Sequence, residues 1–426
     1  MTAGLLALNA RTFASLRRHR NYRLFFTGQV ISVSGTWMQN VALAWLVVEL
    51  TSSPLAVGAL AFCRFVPFTV FGLVAGVVAD RLDNRKQVIA TQSSQMVISA
   101  ALAVLALTDT ATVPLVYALA LLGGVALVFD APARHALTFQ MVGRDELPNA
   151  VALNASMFNA SRVVGPAVAG VVIAAVGVGA CFLVNTVSFL AVLAGLLLMR
   201  VSELFPVDRP DERPTVLRGI REGLAYALGD TRVRVVLVLV TVVSTVGFNF
   251  HVILPLLASD TLDTGPEVFG LLSAAFGLGA LVGALMSAAL GRASWKLFLF
   301  GMTAFSLSLL ALAPVRDAWL AATLLFVTGV SFTLWTSNAN TILQLSAPDA
   351  LRGRVVSLFL FAFAGFAPLG GLLAGWLVDV GGTELSFAVS GLTGLAAIAY
   401  AVRTAGIAAP PRAAVLHGSN IPSTPG

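Results

Sequence analysis

Charged residues are scarce in this sequence, at 11% of 426 residues, whereas hydrophobic residues make up 58%. A typical soluble domain carries roughly 25% charged residues, so this chain has too little polar surface to coat a water-soluble fold. The net charge of +6 does not indicate a nucleic-acid partner, because the bases are spread over short connections and no soluble domain gathers them. The bilayer is therefore the expected solvent, and nucleic-acid binding is not expected.

Cysteine and histidine are also rare, with two Cys and four His. Cys63 and Cys181 fall within or at the edge of apolar segments and form no paired motif, so neither a disulfide framework nor a metal site is expected. No Gly-Lys pair of a phosphate-binding loop occurs, and neither a His-Glu-x-x-His motif nor a nucleophile elbow is present. The sequence predicts a protein that is not an enzyme and needs no cofactor.

What the sequence does contain is apolar segments of about 20 residues, each long enough to cross the hydrocarbon core as a helix. We predict an all-α integral membrane protein with twelve transmembrane helices in two six-helix bundles. The predicted spans of the first bundle are 24–50, 54–79, 87–107, 113–140, 148–176 and 180–198. Those of the second are 235–258, 268–290, 297–313, 319–345, 355–380 and 385–402.

The segments between and around the bundles are polar. We predict a cytoplasmic segment at 1–23, a first bundle at 24–199, a linker at 200–234, a second bundle at 235–402 and a disordered cytoplasmic tail at 403–426. Within the linker, Leu217, Ile220, Leu224 and Leu228 recur at helical spacing, which predicts an amphipathic helix on the membrane surface. No cleavable signal peptide is expected.

The basic residues predict the orientation. Arg81, Arg85 and Lys86 follow the second span, and the other even-numbered spans are likewise followed by bases, whereas Arg316 is the only base in the opposite loops. Because cytoplasmic loops carry an excess of Lys and Arg, both termini are expected in the cytoplasm of a bacterial cell whose inner membrane holds the protein.

The two predicted bundles resemble each other. Gln140, Asp145, Leu147, Val151 and Gly177 recur as Gln344, Asp349, Leu351, Val355 and Gly381, at a constant offset of 204 residues. Pro54 and Gly58, which open the second span, have counterparts in Pro266 and Gly270. Six spans per repeat give both halves the same direction, which is typical of a secondary transporter with a site between its halves.

The connection between the second and third spans contains a distinctive motif, Gly76-Val-Val-Ala-Asp80-Arg81-Leu-Asp83-Asn84-Arg85-Lys86. With the arrangement of six spans, linker and six spans, it resembles the major facilitator superfamily, in whose pattern a glycine stands at the place of Asp83. The resemblance implies a conformational gate on the inner side, formed by Gly76, Asp80, Arg81 and Arg85 with Asp130 and Arg134 of the fourth span.

Further segments, including Gly35 to Ala42, Phe129 to Arg134 and Asn149 to Asn154, resemble the enterobactin-exporter-like and drug-efflux branch of that superfamily. The resemblance implies a proton-coupled antiporter that exports drugs, siderophores or secondary metabolites by alternating access, acting as a monomer. Gly165, Pro166 and Gly170 resemble its Gly-Pro signature and are expected to pack helices. Import of an organic solute by the same fold is the alternative, and a non-transporting sensor or enzyme lacks support.

Ionisable side chains inside the spans need a partner or a function, because each costs about 2.5–3.5 kcal/mol to insert. Asp130 and Arg134 are four residues apart and share a helix face. They neutralise each other, belong to the gate, or provide in Asp130 the carboxylate that carries the proton; His251 is the second candidate carrier. Arg64 and Arg162 have no acid nearby in sequence and are candidates for contact with an anionic substrate. A helix of the other half, or backbone carbonyls and water in the cavity, are the alternative partners.

Other polar residues in the spans are candidates for a substrate cavity, although hydrogen bonds between helices explain most of them equally well. With the two arginines, the candidates are Gln39, Asn40, Arg64, Asn159, Arg162, Asn249, His251, Asn338 and Asn340. Three Gly-x-x-x-Gly pairs are expected to allow close helix contacts, namely Gly72 with Gly76, Gly279 with Gly283 and Gly371 with Gly375. A phenylalanine-rich run at 359–366 is expected to face lipid, and contact with an apolar substrate is the alternative.

Overall fold

The computed structural model describes residues 12–206, 216–291, 293–348 and 351–405. Every regular element in these ranges is helical, because in lipid a helix satisfies its backbone hydrogen bonds within one segment. The linker residues 207–215, the segment 1–11 and the tail from 406 onwards lie outside the described residues, as does Asp349 of the repeat.

The first bundle is built from helices α1 to α6. Their bounds are α1 Ala14–Arg18, α2 Arg20–Thr51, α3 Pro54–Arg81, α4 Asn84–Leu107, α5 Val113–Val176 and α6 Val178–Leu197. A short 3-10 turn, Val201–Glu203, follows α6. Helix α5 is two spans joined at Gly143, whose φ of 69° lies in the left-handed region that favours glycine.

The second part of the described chain contains helices α7 to α14. Their bounds are α7 Val216–Gly229, α8 Thr231–Gly247, α9 Phe250–Leu256, α10 Pro266–Leu290, α11 Trp295–Leu312, α12 Ala318–Ser346, α13 Arg352–Ala364 and α14 Ala367–Ala405. Helix α7 lies where the sequence predicts the amphipathic linker helix. Helix α14 again holds two spans, which turn at Gly382 with φ 71°.

Ten helical segments of the described chain are long and apolar enough to cross a membrane, and two of them, Val113–Val176 and Arg352–Thr404, are long enough to cross twice. These twelve crossings form the predicted all-α membrane architecture of two bundles.

Two predicted spans are interrupted. The seventh breaks between α8 and α9, where the Asn249 amide donates to the carbonyl oxygens of Thr245 and Val246, at 2.8 and 3.3 Å. A side chain that bonds the backbone in this way competes with helix continuation. The eleventh breaks between α13 and α14 at Gly365, just before Pro368, which has no N–H to extend the preceding helix.

The two ends of the bundles differ in how closely the halves approach. We call the end that carries α7 and the turn between α3 and α4 the linker side, and the opposite end, where α3 and α10 begin, the far side. On the far side, a Cβ on Gly58 would lie 2.7 Å from the Gly371 oxygen, and one on Gly270 would lie 2.6 Å from the Pro166 oxygen. Nearer the linker side, Gly72 and Gly76 have nothing within 4 Å of an added Cβ. Helix α3 therefore packs on the second bundle on the far side and still bonds it at Thr69, whose Oγ1 donates to the Gly365 oxygen at 2.7 Å. Beyond Thr69, Gly72 and Gly76 make no close contact.

Candidate functional site

Asp130 is fully buried in the first bundle and lies at the centre of a polar network. Its Oδ1 accepts hydrogen bonds from Thr91 Oγ1 at 2.7 Å and Gln92 Nε2 at 2.9 Å. Its Oδ2 accepts from Arg134, whose Nε lies at 2.8 Å and whose Nη2 also donates. Arg134 Nη1 continues the network to Gln29 Oε1 at 3.2 Å. The network joins α2, α4 and α5, and both oxygens of Asp130 have donors.

The three neutral members of this network are not among the residues that sequence analysis selected. Gln29, Thr91 and Gln92 are 1%, 9% and 4% exposed, so each is a buried polar side chain in an apolar span. The signal that reveals them is the rarity of such residues in a membrane helix, because a buried polar group needs a partner.

The predicted gate residues do not all meet. Arg85 does not contact Asp130; its Nε donates to the Leu196 oxygen at 2.9 Å, and its Nη2 donates to the Leu197 oxygen at 3.4 Å. The predicted gate closes the inner side in the outward-facing state, and in this conformation Arg85 and Asp130 do not form it. The physical reason is that the last carbonyls of α6 are free acceptors at the negative end of a helix, which a guanidinium stabilises.

The remaining residues of the gate motif lie around the turn that follows α3. Asp80 and Arg81 are exposed at the end of this helix. Asp83, the position at which the motif departs from the family pattern, accepts a hydrogen bond from the Lys86 backbone N–H at 3.0 Å. Asp83 is thus the N-cap of α4, a position at which Asp is favoured over glycine.

The halves make two equivalent close contacts, and in each of them a glycine of one half packs on the backbone of a proline or glycine of the other half. Gly58 of α3 packs on Gly371 and Gly375 of α14, and a Cβ on Gly375 would lie 2.7 Å from the Pro54 oxygen. The equivalent contact has Gly170 of α5 against Gly270 of α10, where a Cβ on Gly170 would lie 2.7 Å from the Pro266 oxygen. Backbones can approach this closely only where a Cβ is missing.

The other predicted packing residues also lie at helix contacts, with one exception. A Cβ on Gly165 would meet the Trp37 Cβ at 2.4 Å, so this glycine packs α5 on α2. Gly279 and Gly283 of α10 pack on α12, where added Cβ atoms would lie 1.9 Å from the Phe326 oxygen and 2.5 Å from the Val330 oxygen. The exception is the pair Gly72 and Gly76, for which the predicted close contact is wrong in this conformation.

Two arginines and a histidine lie between the ends of their helices, where the halves meet. The Arg162 guanidinium of α5 lies near aromatic rings of both halves, with its Cζ 4.9 Å from the Phe276 centroid and 5.8 Å from those of Trp37 and Phe332. His251 of α9 packs edge-on against Phe65 of α3, with centroids 5.1 Å apart. Its Nε2 is buried and has no hydrogen-bond partner among the described residues.

Arg64 of α3 contributes to a small polar cavity inside the first bundle. About 40 Å³ of this cavity is accessible to the centre of a water molecule, which is enough for two or three waters. The predicted cavity residues Gln39 and Asn40 line it together with Gln95 and Asn185. The Asn185 amide donates to Gln39 Oε1 at 2.7 Å, so Gln39 also has a partner within its own bundle.

Two of the predicted cavity residues, Asn249 and Asn338, are buried and bond backbone groups, so hydrogen bonding within the bundle, the alternative left open by the sequence, describes them in this conformation. Asn249 is 1% exposed and bonds the end of α8, as described above. Asn338 is 2% exposed; its amide donates to the Leu334 oxygen and its Oδ1 accepts from the Ser294 backbone N–H at 3.1 Å. Both side chains bond a backbone group at a helix end of their own bundle, and that group has no partner within the helix.

Asn159 and Asn340 stay partly exposed but bond within their own helices. The Asn159 amide donates to the Ala155 oxygen at 2.9 Å, and Asn340 Oδ1 accepts from Gln344 Nε2 at 3.1 Å. Neither bond excludes a second partner, because an amide side chain offers both donors and acceptors.

An aromatic cluster in the second bundle is the largest feature that sequence analysis missed. Phe248 stacks on Phe332 with centroids 4.4 Å apart, and Phe250 lies 4.4 Å from Phe276. Phe363 lies 5.4 Å from Phe248. We define the aromatic cluster as Phe248, Phe250, Phe276, Phe305, Phe332 and Phe363. Of the phenylalanine-rich run expected to face lipid, Phe361 is 44% exposed whereas Phe359 is 7% exposed, so that expectation holds for only part of the run.

The two bundles, the direct repeat and the contact surface between the halves define the fold of the major facilitator superfamily, a class of membrane transporters. The family model described as transmembrane secretion effector matches residues 10–413, and the chain belongs to this family. It is a multi-pass membrane transporter and not an enzyme.

Comparisons with individual proteins agree with this assignment. The chain is 24% identical to the staphyloferrin A transporter of Staphylococcus aureus, over 87% of this chain and 93% of that one. It is 28% identical to the multidrug efflux pump Tap of Mycolicibacterium fortuitum, over 83% and 88%. The crystal structure of a POT family transporter in complex with 5-aminolevulinic acid shares the fold, with a TM-score of 0.73 at 11% identity over 91% of this chain and 97% of that one.

Proposed function

We propose that the protein exports small amphipathic molecules from a bacterial cell by proton-driven antiport, alternating between inward-facing and outward-facing states. One observation carries the proposal: Asp130 is the only acidic residue away from the ends of the spans, and it is fully buried in an ion pair. A carboxylate in that position is costly, and intramembrane acids are typical of proton pathways. In this proposal the proton gradient is the energy source, no cofactor takes part, and the protein acts as a monomer.

The shape of the molecule supports the alternating-access part. The halves touch closely on the far side, at Gly58 and Gly270, whereas beyond the Thr69 bond to Gly365 the glycines Gly72 and Gly76 of α3 have no neighbour within 4 Å of an added Cβ. The distribution of bases favours a cytoplasmic linker side with both termini in the cytoplasm. With that orientation, this conformation faces inward, the state in which an exporter takes up cargo.

The network around Asp130 supports the proton-carrying part. A proton on Asp130 removes the charge that holds the Arg134 guanidinium, and Arg134 keeps a bond to Gln29 that it can then strengthen. Protonation therefore changes the contacts between α2 and α5. His251 is the weaker candidate, because it lies beside Arg64 and a second positive charge there is unfavourable.

The direction of transport is proposed from the relatives. A staphyloferrin A transporter and a multidrug efflux pump match most of the chain. Import of an organic solute by the same fold is the alternative. A molecule that moves only from the outside to the cytoplasm, under the same gradient, would favour import.

The experiment compares Asp130→Asn with the unmodified protein in inside-out membrane vesicles whose lumen is acidic. A panel of macrolides, siderophores and hydrophobic dyes is added outside, and luminal pH and cargo uptake are recorded. We expect the unmodified protein to accumulate a cargo and to release protons from the lumen. Asp130→Asn keeps the hydrogen bonds to Thr91 and Gln92 but cannot ionise, so it should retain gradient-free exchange and lose proton movement.

Asp109→Asn is the matched control, because Asp109 lies in the exposed loop before α5 and should leave both activities unchanged. Equal slowing of exchange and proton movement in Asp130→Asn would assign Asp130 to the gate. If the unmodified protein exchanges a cargo without any proton movement, proton coupling is wrong.

A further inference from the structure

Arg64 and Arg162 bring two positive charges into the region where the halves meet, and no carboxylate is available to balance them. Asp130 is the only acid away from the ends of the spans. Its Oδ1 already accepts two hydrogen bonds and its Oδ2 pairs with Arg134. Within the described part of the chain, neither the Arg64 nor the Arg162 guanidinium has an ion pair or a side-chain hydrogen bond.

The surroundings of Arg162 compensate its charge only in part. Three aromatic rings contact it, Trp37 from the first bundle and Phe276 and Phe332 from the second. Cation–π contacts offset only part of the cost of placing a cation inside the spans. An aromatic ring is not an oxygen or nitrogen acceptor, however, so among the described residues the guanidinium N–H donors have no such partner.

The geometry of the Arg162 guanidinium indicates which kind of acceptor would bind it. A planar guanidinium with free in-plane donors matches the two oxygens of a carboxylate in a bidentate pair, which is stronger than a bond to a neutral acceptor. Phe276 and Phe332 also belong to the aromatic cluster, so the same position offers an apolar wall for the body of a ligand. Arg64 adds a second positive charge, close to His251 of the other half.

Resting on the proposed transport function, we infer that the cargo is an organic carboxylate with a flat apolar body, held by Arg162 through its carboxylate and by the aromatic cluster through its body. Arg162 contacts rings of both halves, so a ligand bound there touches both bundles. The carboxylate would neutralise one of the two uncompensated charges, which explains why a costly arginine is kept at this level of α5.

The test measures binding without any gradient. Full-length protein in lipid nanodiscs is equilibrated by dialysis with matched pairs of radiolabelled probes, an aromatic carboxylic acid and its neutral amide, built on one, two and three fused rings. We expect at least one carboxylate to bind about tenfold or more tightly than its amide, because a hydrogen bond to a charged group is worth about 1.5–3 kcal/mol.

Arg162→Gln should abolish this preference by weakening carboxylate binding about tenfold while leaving the amide unchanged. Arg162→Lys keeps the charge without the planar donors and should retain only part of the preference. It also serves as the second variant if Arg162→Gln does not fold. Arg17→Gln removes an exposed charge outside the spans and is the matched control.

Equal or absent binding of acid and amide in all three pairs would overturn the inference, and so would a full preference in a folded Arg162→Gln protein. These outcomes are separate from those of the transport experiment. Proton-coupled export of neutral or cationic molecules would leave the proposed function intact and remove the anionic cargo. Selective carboxylate binding without proton movement would support the anionic cargo and contradict proton-coupled export.

Discussion

The two bundles have equivalent spans, but the interior of the first contains buried charges whereas the equivalent positions of the second are uncharged. In the first bundle, Asp130 and Arg134 form a buried ion pair with three polar neighbours. At the same offset of 204 residues that relates the two halves, the second bundle has Leu334 and Asn338. Asn338 donates to the Leu334 oxygen at 2.8 Å, and Phe305, Phe332 and Trp335 pack nearby.

This difference shows that packing six spans does not require the ion pair. A buried pair of charges loses its hydration, and its attraction offsets that loss only where the geometry is good and the remaining groups are bonded. The second bundle reaches a packed interior with an amide and aromatic rings. The charges of the first bundle therefore point to a task beyond stability, and among the described spans only that half has a carboxylate away from the span ends.

The largest effect is expected when the residues of the second bundle, Leu334 and Asn338, are introduced at the equivalent positions 130 and 134 of the first. Asp130→Leu alone leaves Arg134 without its carboxylate and should lower the free energy of unfolding by about 3 kcal/mol. This is the low end of the range for a broken buried pair, because the Arg134 side chain is 27% exposed. The double variant Asp130→Leu with Arg134→Asn should recover most of the loss. The measurement is the unfolding midpoint of purified protein in detergent.

A double variant as unstable as the single one would contradict this expectation, and would mean that Thr91 and Gln92 need the carboxylate. Proton movement in vesicles should be lost in both variants.

Both halves place a glycine at their contact on the far side, Gly58 in the first and Gly270 in the second. Gly58→Leu and Gly270→Leu should each destabilise this conformation by about 1–3 kcal/mol through overpacking, because their added atoms meet backbone of the other half. Gly72→Leu is the control on the same helix as Gly58, and it should cost little because nothing lies within 4 Å of its Cβ. Unfolding midpoints of the three variants in detergent measure the effect. Similar losses in all three would contradict a closed far side.

The smallest expected effect concerns the helices attached on the linker side. Helix α1 is tied to the first bundle by an ion pair between Arg18 and Glu146, and α7 is tied to the second by one between Arg354 and Glu222. All four side chains are partly exposed, so Arg18→Ala and Arg354→Ala should each lower stability by at most about 1 kcal/mol. The difference from the unmodified protein should shrink as salt is raised. A loss above about 2 kcal/mol would indicate a larger role for either contact.

Individual residues show how far sequence reasoning reaches. The contact between Asp130 and Arg134 was predictable, because four residues along a helix bring two side chains to one face. The surroundings of Arg162 were not, because Trp37, Phe276 and Phe332 come from three spans in two halves. The partner of Arg85 in this conformation was not predictable, because a resemblance transfers residue types and not the position of the α6 end that Arg85 bonds.

The sequence by itself determined the twelve spans, the polar linker and the repeat. A bilayer leaves backbone groups no solvent to bond, so long apolar segments must be helical and hydropathy is enough to find them. Only the tertiary structure decided which faces of those helices meet. Lipid and a packed interior are almost equally apolar, so hydropathy does not specify the rotation of a helix about its axis. That rotation brings Arg162 to the aromatic rings of both halves and closes the far side at Gly58 and Gly270.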